Sequence, residues 1–402
     1  MKILQLCNKI PYPPRDGGAI AMLNMAESFA ANGHQVTILA MRTTKHDFPV
    51  NEIPDALRQK INFMYIDVDT RITLLKLLVN FVFSKQPFNA SRFNDRGFSN
   101  ALITLLQKET FDVIQLEGLY LKSYIDTIRK YHMGILSYRA HNIESEIWQR
   151  VASNTRNMFR RFYLNNLAKR LYHYENDMVN RYDLLVPISG NDLERIQKMG
   201  NIKPSYLTPT GILNENFKSP GKSSGTKQLF YIGALDWIPN QDALVWFTEQ
   251  VWIPLSQQKP DLRFHIAGRN APKWLVQKLM IPGIVYHGEV ENAQEFIDNH
   301  SFMVVPLFAG SGLRIKIIEA MARSKPVLTT NIGSQGLDVA SGQEILIADT
   351  AAEWIQAISQ LVDDLPRFYK LQKNAYAYAR ENFSNHLIVK NLSYFYMQHI
   401  AS

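Results

Sequence analysis

Short apolar runs alternate with amphipathic segments along the whole chain of 402 residues. This alternation is typical of parallel α/β sheets, because two neighbouring parallel strands need a crossover helix between them. In the first half, the pattern predicts strands at Lys2–Cys7, Gln35–Ala40, Ile61–Ile66, Val113–Leu116, Gly134–Tyr138 and Leu184–Ile188. In the second half, it predicts strands at Gln228–Ile232, Phe264–Ala267, Ile284–Tyr286, Phe302–Pro306, Val327–Thr329 and Ile345–Ile347.

The stretch Asn201–Lys227 interrupts this pattern. It is rich in Pro, Gly, Ser and Lys and lacks periodicity, which indicates a junction between domains. We therefore predict one domain over residues 1–207 and a second over 208–383. Each half opens with a strand and a glycine-bearing loop, as expected of two doubly wound Rossmann-like domains.

Composition narrows the class of partner. The net charge of +8 and the pI of 9.3 suit a ligand or surface that carries phosphates. No block of basic residues marks a nucleic-acid tail, so nucleic acid is not expected as a partner. Cys7 is the single cysteine and cannot form an internal disulfide, which favours a cytoplasmic protein. No run reaches the ~18 apolar residues of a membrane span.

The most informative segment follows the predicted strand Phe302–Pro306. A Gly-Ser-Gly turn leads into an amphipathic helix that carries Arg314, Lys316 and Glu319. The start of a helix offers unpaired N–H groups and a favourable dipole to an anion, and two cations stand beside it. An acid at the same place suits the hydroxyls of a ribose. The chemistry indicates a nucleotide-diphosphate site.

This segment resembles the donor-binding signature of GT-B glycosyltransferases of family 4, Glu-Gly-Phe-Gly-Leu-x-x-x-Glu-Ala. Ser311 replaces the first Glu, Gly312 and Glu319 match, and Arg314 replaces the second Gly. The resemblance extends over nearly the whole chain. It implies two Rossmann-like domains facing a cleft, with the last helix, Asn385–Ala401, crossing back so that 384–402 completes the first domain.

The resemblance also implies a function. Such enzymes move a sugar, with retention, from a nucleotide-diphosphate sugar to a saccharide or lipid-linked acceptor in cell-surface glycan synthesis. The first domain would hold the acceptor and the second the donor. Neither a cofactor nor a metal is expected.

The same resemblance assigns the site residues. Glu319 would bind the ribose. The diphosphate would be held by Arg314, Lys316, Arg269 and the amides of Gly17 and Gly18. The donor sugar would contact His141, Ser311, Gly312 and Leu313. Many relatives carry an Arg and a Lys in the loop matching Gly233–Asn240, which here has no basic residue, and Arg314 with Lys316 would compensate.

Several residues have a second interpretation. Gly17 and Gly18 precede the predicted helix Ala19–Asn32 and could serve only loop flexibility. His141 follows a predicted strand end, where α/β sheets bind ligands, although a lone histidine is more often structural. Glu144 is a weaker candidate for the same pocket. The pair Asp67 and Asp69 resembles a D-x-D metal motif but is better interpreted as two solvated acids.

Two stretches, Ile72–Phe93 and Arg156–Arg170, mix basic and apolar residues. They suit an anionic membrane at the cytoplasmic face, and equally a helix that packs on the core. Alternative functions are a nucleotide-sugar epimerase or hydrolase, and a degenerate protein that binds nucleotide sugar without catalysis. Only the net charge favours a DNA- or RNA-binding module.

Overall fold

The computed structural model describes residues 1–14, 16–44, 46–153, 155, 157–221, 226–309 and 313–400. The chain divides into two units. Unit 1 comprises Met1–Gly211 with Asn385–Ser402, and unit 2 comprises Ile212–Ser384.

The sheet of unit 1 has six parallel strands in the order β3-β2-β1-β4-β5-β6. Their bounds are Lys2–Cys7 (β1), Gln35–Arg42 (β2), Ile61–Asp67 (β3), Val113–Glu117 (β4), Ile135–Ala140 (β5) and Leu184–Pro187 (β6). The chain reverses its direction across the sheet between β1 and β4, and ligands of doubly wound sheets bind beyond the carboxyl ends of strands at such a point.

Helices cover both faces of this sheet. They are Gly17–Ala31 (α1), Asp55–Arg58 (α2), Leu74–Phe83 (α3), Phe88–Ser91 (α4), Arg96–Lys108 (α5), Ile125–Tyr131 (α6), Glu144–Ser153 (α7), Met158–Asn176 (α8) and Gly190–Lys198 (α9). Every residue of β4 and β5 is buried, because parallel strands between two helix layers have no solvent face.

Unit 2 repeats the arrangement, with the order β12-β11-β10-β7-β8-β9 and all pairs parallel. Its strands are Gln228–Ile232 (β7), Arg263–Ala267 (β8), Ile284–Gly288 (β9), Phe302–Val305 (β10), Val327–Thr329 (β11) and Leu346–Ile347 (β12). Its helices are Ile238–Trp246 (α10), Ile253–Gln258 (α11), Lys273–Lys278 (α12), Ala293–Asp298 (α13), Ile315–Ala322 (α14), Ala351–Asp363 (α15) and Leu365–Phe383 (α16). Here the reversal lies between β7 and β10.

The last helix, Asn385–Ile400 (α17), belongs to unit 1 and packs on α1. The buried Tyr396 hydroxyl donates to Gln115 Oε1 at 2.7 Å and lies 2.8 Å from Ser137 Oγ. Asn385 Nδ2 donates to the carbonyl oxygen of Asn24 at 2.5 Å. These contacts tie α17 to β4, β5 and α1.

The predicted α/β fold with two parallel sheets is confirmed, and a strand occurs in each predicted segment. Most boundaries differ by one or two residues, and three of these differences have a physical explanation or bear on the site. Strand β5 continues to Ala140, so Arg139 is part of the strand. Helix α1 begins at Gly17, because Asp16 caps it by accepting from Ala19 N. Strand β10 ends at Val305, one residue before Pro306, whose nitrogen cannot donate to a ladder.

Candidate functional site

The loops after β7 and β8 meet at the carboxyl edge of the sheet in unit 2, and Lys316 in the first turn of α14 reaches them. Leu235 N, in the loop after β7, donates to the carbonyl oxygen of Arg269, in the loop after β8, at 2.9 Å. The chain after β10 leads into α14, which begins next to Arg314. The predicted phosphate-binding residues of unit 2 therefore stand at the reversal point of the sheet.

Lys316 is the best-defined of them. Its Nζ donates to the Tyr231 hydroxyl at 2.9 Å and to Asn240 Oδ1 at 3.2 Å. The ammonium lies 4.4 Å from the centroid of the Tyr231 ring, a cation–π distance. Asn240 Nδ2 donates to the carbonyl oxygen of Ala234 at 2.7 Å and so ties this cluster to the loop after β7.

Burial disfavours the charged forms of Arg314 and Lys316. Burial, with a smaller contribution from the nearby Arg314, lowers the pKa of Lys316 to about 7. Burial also lowers the pKa of Arg314, which is only 7% exposed. Two cations that stand together at the start of a helix favour a bound anion such as a diphosphate.

Two glycines bring the loops close enough to form this site. A Cβ atom on Gly268 would lie 2.1 Å from the carbonyl oxygen of Gly233, which no packing tolerates. A Cβ atom on Gly233 would lie 3.3 Å from Lys316 Nζ and 3.2 Å from the Tyr231 hydroxyl. Gly268, Tyr231 and Gly233 were not singled out from the sequence as site residues, because their role depends on contacts between loops.

The other predicted residues of unit 2 have distinct environments. Glu319 is the fifth residue of α14 and is exposed to solvent. Partial desolvation by the surrounding protein raises the pKa of its carboxyl group. Leu313 is half-buried and Arg269 is exposed after β8. Ser311 and Gly312 lie outside the described residues.

In unit 1, Gly17 and Gly18 form the first turn of α1 rather than a loop before it. The cap Asp16 accepts from Lys9 Nζ at 2.6 Å. Its partial burial opposes ionisation, but its hydrogen bonds outweigh this effect and hold its carboxyl pKa far below the usual range; the donors are Lys9, Ala19 N and His46. A Cβ on Gly17 would meet no atom within 4 Å. Space and helix-start amides are therefore available there to an anion.

His141 stands directly after β5 and is held by a carboxylate. Its Nε2 lies 2.6 Å from Glu117 Oε2, at the end of β4. Glu117 is completely buried; burial opposes its ionisation, but Arg139 and His141 outweigh this and lower its pKa. Because an ionised carboxylate only accepts, Nε2 carries a proton, and in the neutral form of the ring Nδ1 has the lone pair.

Glu117 is the functional candidate that sequence reasoning missed. It also accepts from Gln5 Nε2 at 2.8 Å and from Gln115 Nε2 at 2.5 Å, and Arg139 Nη1 lies 3.4 Å away. A carboxylate ending an apolar strand at the reversal point of a sheet was visible in the sequence, but its link to a histidine on another strand was not.

Glu144, the weaker candidate, begins α7. Its Oε2 accepts from the Tyr120 hydroxyl at 2.7 Å, and burial raises the pKa of its carboxyl group. Its backbone N–H donates to Glu175 Oε1 at 2.6 Å. Burial raises the pKa of Glu175 to about 7. The carboxyl group of Glu175 thus accepts a backbone hydrogen bond at the start of α7. These acids therefore stabilise the segment that follows His141.

The D-x-D pair lies on the surface and is engaged by cations. Asp67 accepts from Arg42 at 2.5 and 2.8 Å. Asp69 accepts from Arg71 at 2.9 and 3.1 Å and from Lys76 at 3.3 Å. These hydrogen bonds lower both carboxyl pKa values. Their pairing agrees with the interpretation as surface acids.

A cluster of three histidines, His265, His287 and His300, lies elsewhere in unit 2. Its members are 22 and 13 residues apart along the chain, so their spacing does not mark a metal site in the sequence. Burial first, then the neighbouring imidazoles and Arg263, lower the pKa of His265 to about 4. Burial lowers the pKa of His300 as well.

The two basic amphipathic stretches come together in unit 1. Phe81 of α3 lies 6.4 Å from Phe162 and 5.8 Å from Tyr163 of α8 (ring centroids), and Arg170 donates to the carbonyl oxygen of Phe81 at 2.7 Å. The outer faces stay exposed. We call the following set the α3–α8 patch: Leu75, Leu78, Val82, Phe83, Met158, Phe159 and Phe162. Within the described residues, no helix is both long and apolar enough to cross a bilayer.

Comparisons with known proteins agree with this architecture. Over 99% of this chain and 100% of the other, the structure superposes on Anabaena Alr3699/HepE in complex with UDP, with a TM-score of 0.67 and 14% identity. The same protein in complex with UDP-glucose gives a TM-score of 0.62 at the same identity and coverage. The chain therefore has the GT-B fold of two Rossmann-like units.

Sequence comparison adds the class. Residues 226–364 match the family described as Glycosyl transferases group 1. An uncharacterized 44.6 kDa protein in the cps region of Klebsiella pneumoniae is 21% identical over 97% of this chain and 98% of its own length. The lipopolysaccharide core biosynthesis mannosyltransferase LpsB of Rhizobium meliloti (strain 1021) is 22% identical over 52% of this chain and 63% of its own. Together these matches support a group 1 glycosyltransferase.

Proposed function

We propose that this protein is a metal-independent, retaining hexosyltransferase of family 4. It takes a sugar from a nucleotide-diphosphate donor and gives it to a saccharide or lipid-linked acceptor for a cell-surface glycan. The observation that carries the proposal is the pair of desolvated cations, Arg314 and Lys316, at the reversal point of the second sheet. Two cations beside a helix start favour an anionic ligand such as a diphosphate.

In this proposal, the cations act on the leaving group. As the bond between sugar and diphosphate breaks, negative charge grows on the diphosphate oxygens. Arg314 and Lys316 stabilise that charge in a site where water is scarce, so their effect is larger in the transition state than in the ground state. Lys316 is pre-oriented by Tyr231 and Asn240, which reduces the cost of reorganisation.

The remaining residues bind and orient. Glu319, open to solvent on α14, accepts from the ribose hydroxyls. His141, with Nε2 committed to Glu117, presents Nδ1 to a hydroxyl of the sugar. Glu117 is a positioning residue, since it acts through the histidine. Gly17 and Gly18 offer helix-start amides to the diphosphate. Ser311, Gly312 and Leu313 are proposed as sugar contacts by resemblance alone.

The decisive experiment has two stages. Thermal-shift screening of nucleotide sugars identifies the donor, because a ligand that binds only the native state raises Tm. The product made with that donor is then examined by proton NMR, and retention predicts the same anomeric configuration as in the donor. Inversion would contradict the proposed mechanism. Free sugar released without any acceptor would favour a hydrolase.

Kinetics of three variants separate charge stabilisation from binding. Arg314→Ala and Lys316→Ala should lower kcat more than they weaken donor binding. Glu319→Ala should weaken donor affinity by about 1–3 kcal/mol and leave kcat nearly intact, because ribose contacts change little during the reaction. If both cation variants keep the wild-type kcat, the leaving group is stabilised by other residues.

We also propose that the acceptor is reached at an anionic membrane, on its cytoplasmic face. The α3–α8 patch supports this, since Leu75 is 72%, Phe83 is 83% and Phe159 is 89% exposed. Exposed Lys76, Arg160 and Arg161 adjoin these side chains on the same two helices. Apolar side chains flanked by cations suit the interface of an anionic bilayer.

Vesicle sedimentation tests this contact. Full-length protein should bind phosphatidylglycerol vesicles more than phosphatidylcholine vesicles, and salt should weaken the binding. The double variant Phe83→Asp with Phe159→Asp should lose it. Met133→Asp, at a side chain that is 98% exposed outside the patch, is the matched control and should keep it. Equal binding by all three proteins would refute the membrane role of the patch.

A further inference from the structure

The three-histidine cluster joins separate elements of unit 2. His265 lies on β8, His287 on the neighbouring edge strand β9, and His300 between α13 and β10. One ring nitrogen of each lies within 4.8 Å of those of the other two.

The hydrogen bonds of the cluster leave lone pairs inside it. His300 Nδ1 lies 2.6 Å from the carbonyl oxygen of Phe296, and a carbonyl only accepts, so Nδ1 carries the proton. Its Nε2 is therefore the nitrogen with a lone pair, an arrangement common in histidines that bind metals. His265 faces His287 through Nδ1, so Nδ1 is the nitrogen that His265 would offer to the ion, and its buried Nε2 would then carry the proton.

Distances within the cluster approach those of a coordination shell. His265 Nδ1 and His287 Nε2 are 3.0 Å apart. Two nitrogens bound to one tetrahedral Zn²⁺ at about 2.0–2.1 Å are roughly 3.3–3.4 Å apart. That pair needs only a small outward shift, and the limit of 4.8 Å for the set leaves a modest ring movement for the third ligand.

The surroundings provide both a wall and an entrance. The Phe296 ring lies 4.4 Å from the His300 ring and 5.2 Å from the His287 ring (centroids), and it shields the inner side. His300 is buried, His265 is half-buried and His287 is exposed. An ion can therefore reach the nitrogens from solvent along the edge strand.

We propose that His265, His287 and His300 bind one divalent late first-row transition-metal ion, with Zn²⁺ as the reference, and leave a fourth position for water. Imidazole suits Zn²⁺, Co²⁺, Ni²⁺ and Cu²⁺, whereas Mg²⁺ and Ca²⁺ prefer oxygen ligands. The ion would tie β8 and β9 to the chain that enters β10.

This site is separate from the proposed transfer chemistry. The cluster lies on the edge strand β9 and its neighbour β8, whereas Arg314 and Lys316 follow the central strand β10 and Lys316 reaches Tyr231 on β7. The bound ion would stabilise the fold of unit 2 and take no part in the leaving-group chemistry.

The test uses the full chain after removal of metal by chelation. Zn²⁺ should bind with 1:1 stoichiometry in calorimetry and raise Tm by about 5 °C or more at a hundredfold excess over Kd. Mg²⁺ should do neither. Co²⁺ should give the intense visible absorption of tetrahedral rather than octahedral coordination. Anomalous scattering at the zinc edge would locate the ion.

Variants connect the binding to the cluster. His287→Ala removes an exposed ligand, so it should fold, and its Zn²⁺ affinity should fall at least about tenfold. His173→Ala, at an exposed histidine on α8 in the other unit, is the matched control and should keep the wild-type affinity. The thermal shift caused by the nucleotide sugar found in the donor screen should survive in both variants, which keeps this result independent of the donor site.

Two results would overturn the proposal. One is the absence of Zn²⁺ and Co²⁺ binding by the wild-type chain at ~100 μM, a concentration far above the Kd of a three-histidine site. The other is an unchanged affinity in His287→Ala, which would place the bound ion elsewhere on the surface.

Discussion

If Lys316 binds the donor diphosphate as proposed, its lowered pKa makes donor binding depend on pH. The pKa of Lys316 is about 7 in the protein without ligand, because its ammonium is desolvated and lies near Arg314. A bound diphosphate requires the charged form. The free protein must therefore take up a proton as the donor binds, to an extent set by the fraction of neutral lysine.

Donor affinity should fall as the pH rises. Well below pH 7 the lysine is charged and affinity is at its maximum, whereas above pH 7 affinity falls as the neutral form accumulates. The loss is a factor of 1 + 10^(pH − pKa), which is about 1.3 at pH 6.5 and about 33 at pH 8.5 for a pKa of about 7. Affinity should drop about 25-fold over this interval, equivalent to about 2 kcal/mol.

Calorimetry with the nucleotide-diphosphate sugar found by thermal-shift screening measures both quantities. This ligand has no terminal phosphate that titrates in the interval, so its own charge stays constant. Repeating the titration in buffers of different ionisation enthalpy gives the proton uptake, which should rise from about 0.2 per donor at pH 6.5 to about 1 at pH 8.5.

Lys316→Met is the control, because it keeps the length and loses the charge. Its affinity should be lower and nearly independent of pH. A wild-type affinity that stays constant from pH 6.5 to 8.5 without proton uptake would refute the proposed titration of Lys316. The same conclusion would follow if Lys316→Met kept the wild-type pH dependence of affinity, since another group would then be titrating.

Three further outcomes can be measured separately. Glu117→Ala should lower the free energy of unfolding in urea by about 3–5 kcal/mol, because it leaves Arg139 buried without its counter-charge. His141→Ala should lower the free energy of unfolding by about 1 kcal/mol or less and should instead lower turnover. Gly268→Ala should destabilise by about 1–3 kcal/mol because its Cβ would meet a carbonyl oxygen at 2.1 Å, whereas Gly17→Ala should stay within about 1 kcal/mol of the wild type in the same urea titration. Transfer assayed in excess EDTA should keep most of its rate, and a complete loss that Mg²⁺ or Mn²⁺ restores would contradict the metal-independent mechanism.

The alternation of apolar and polar positions was enough to predict the two parallel sheets. Strands such as Leu184–Pro187 and Phe302–Val305 are buried on both faces, so each appears in the sequence as a continuous apolar run between amphipathic helices. Helix starts were predicted less well. The start of α1 was placed two residues late because glycine is a poor helix former, and the cap formed by Asp16 overrides that preference.

The chemistry of the candidate site also has one part that the sequence determined and another that depends on the tertiary structure. The sequence by itself determined that Arg314, Lys316 and Glu319 share one helix start, since they are neighbours along the chain. Only the tertiary structure decided that Lys316 reaches Tyr231, that Glu117 orients His141, and that His265 and His287 lie 3.0 Å apart. The physical reason is that the pattern of burial determines which segments form strands, whereas the order and register of those strands determine which polar side chains meet. Neither order nor register is encoded in any local stretch of residues.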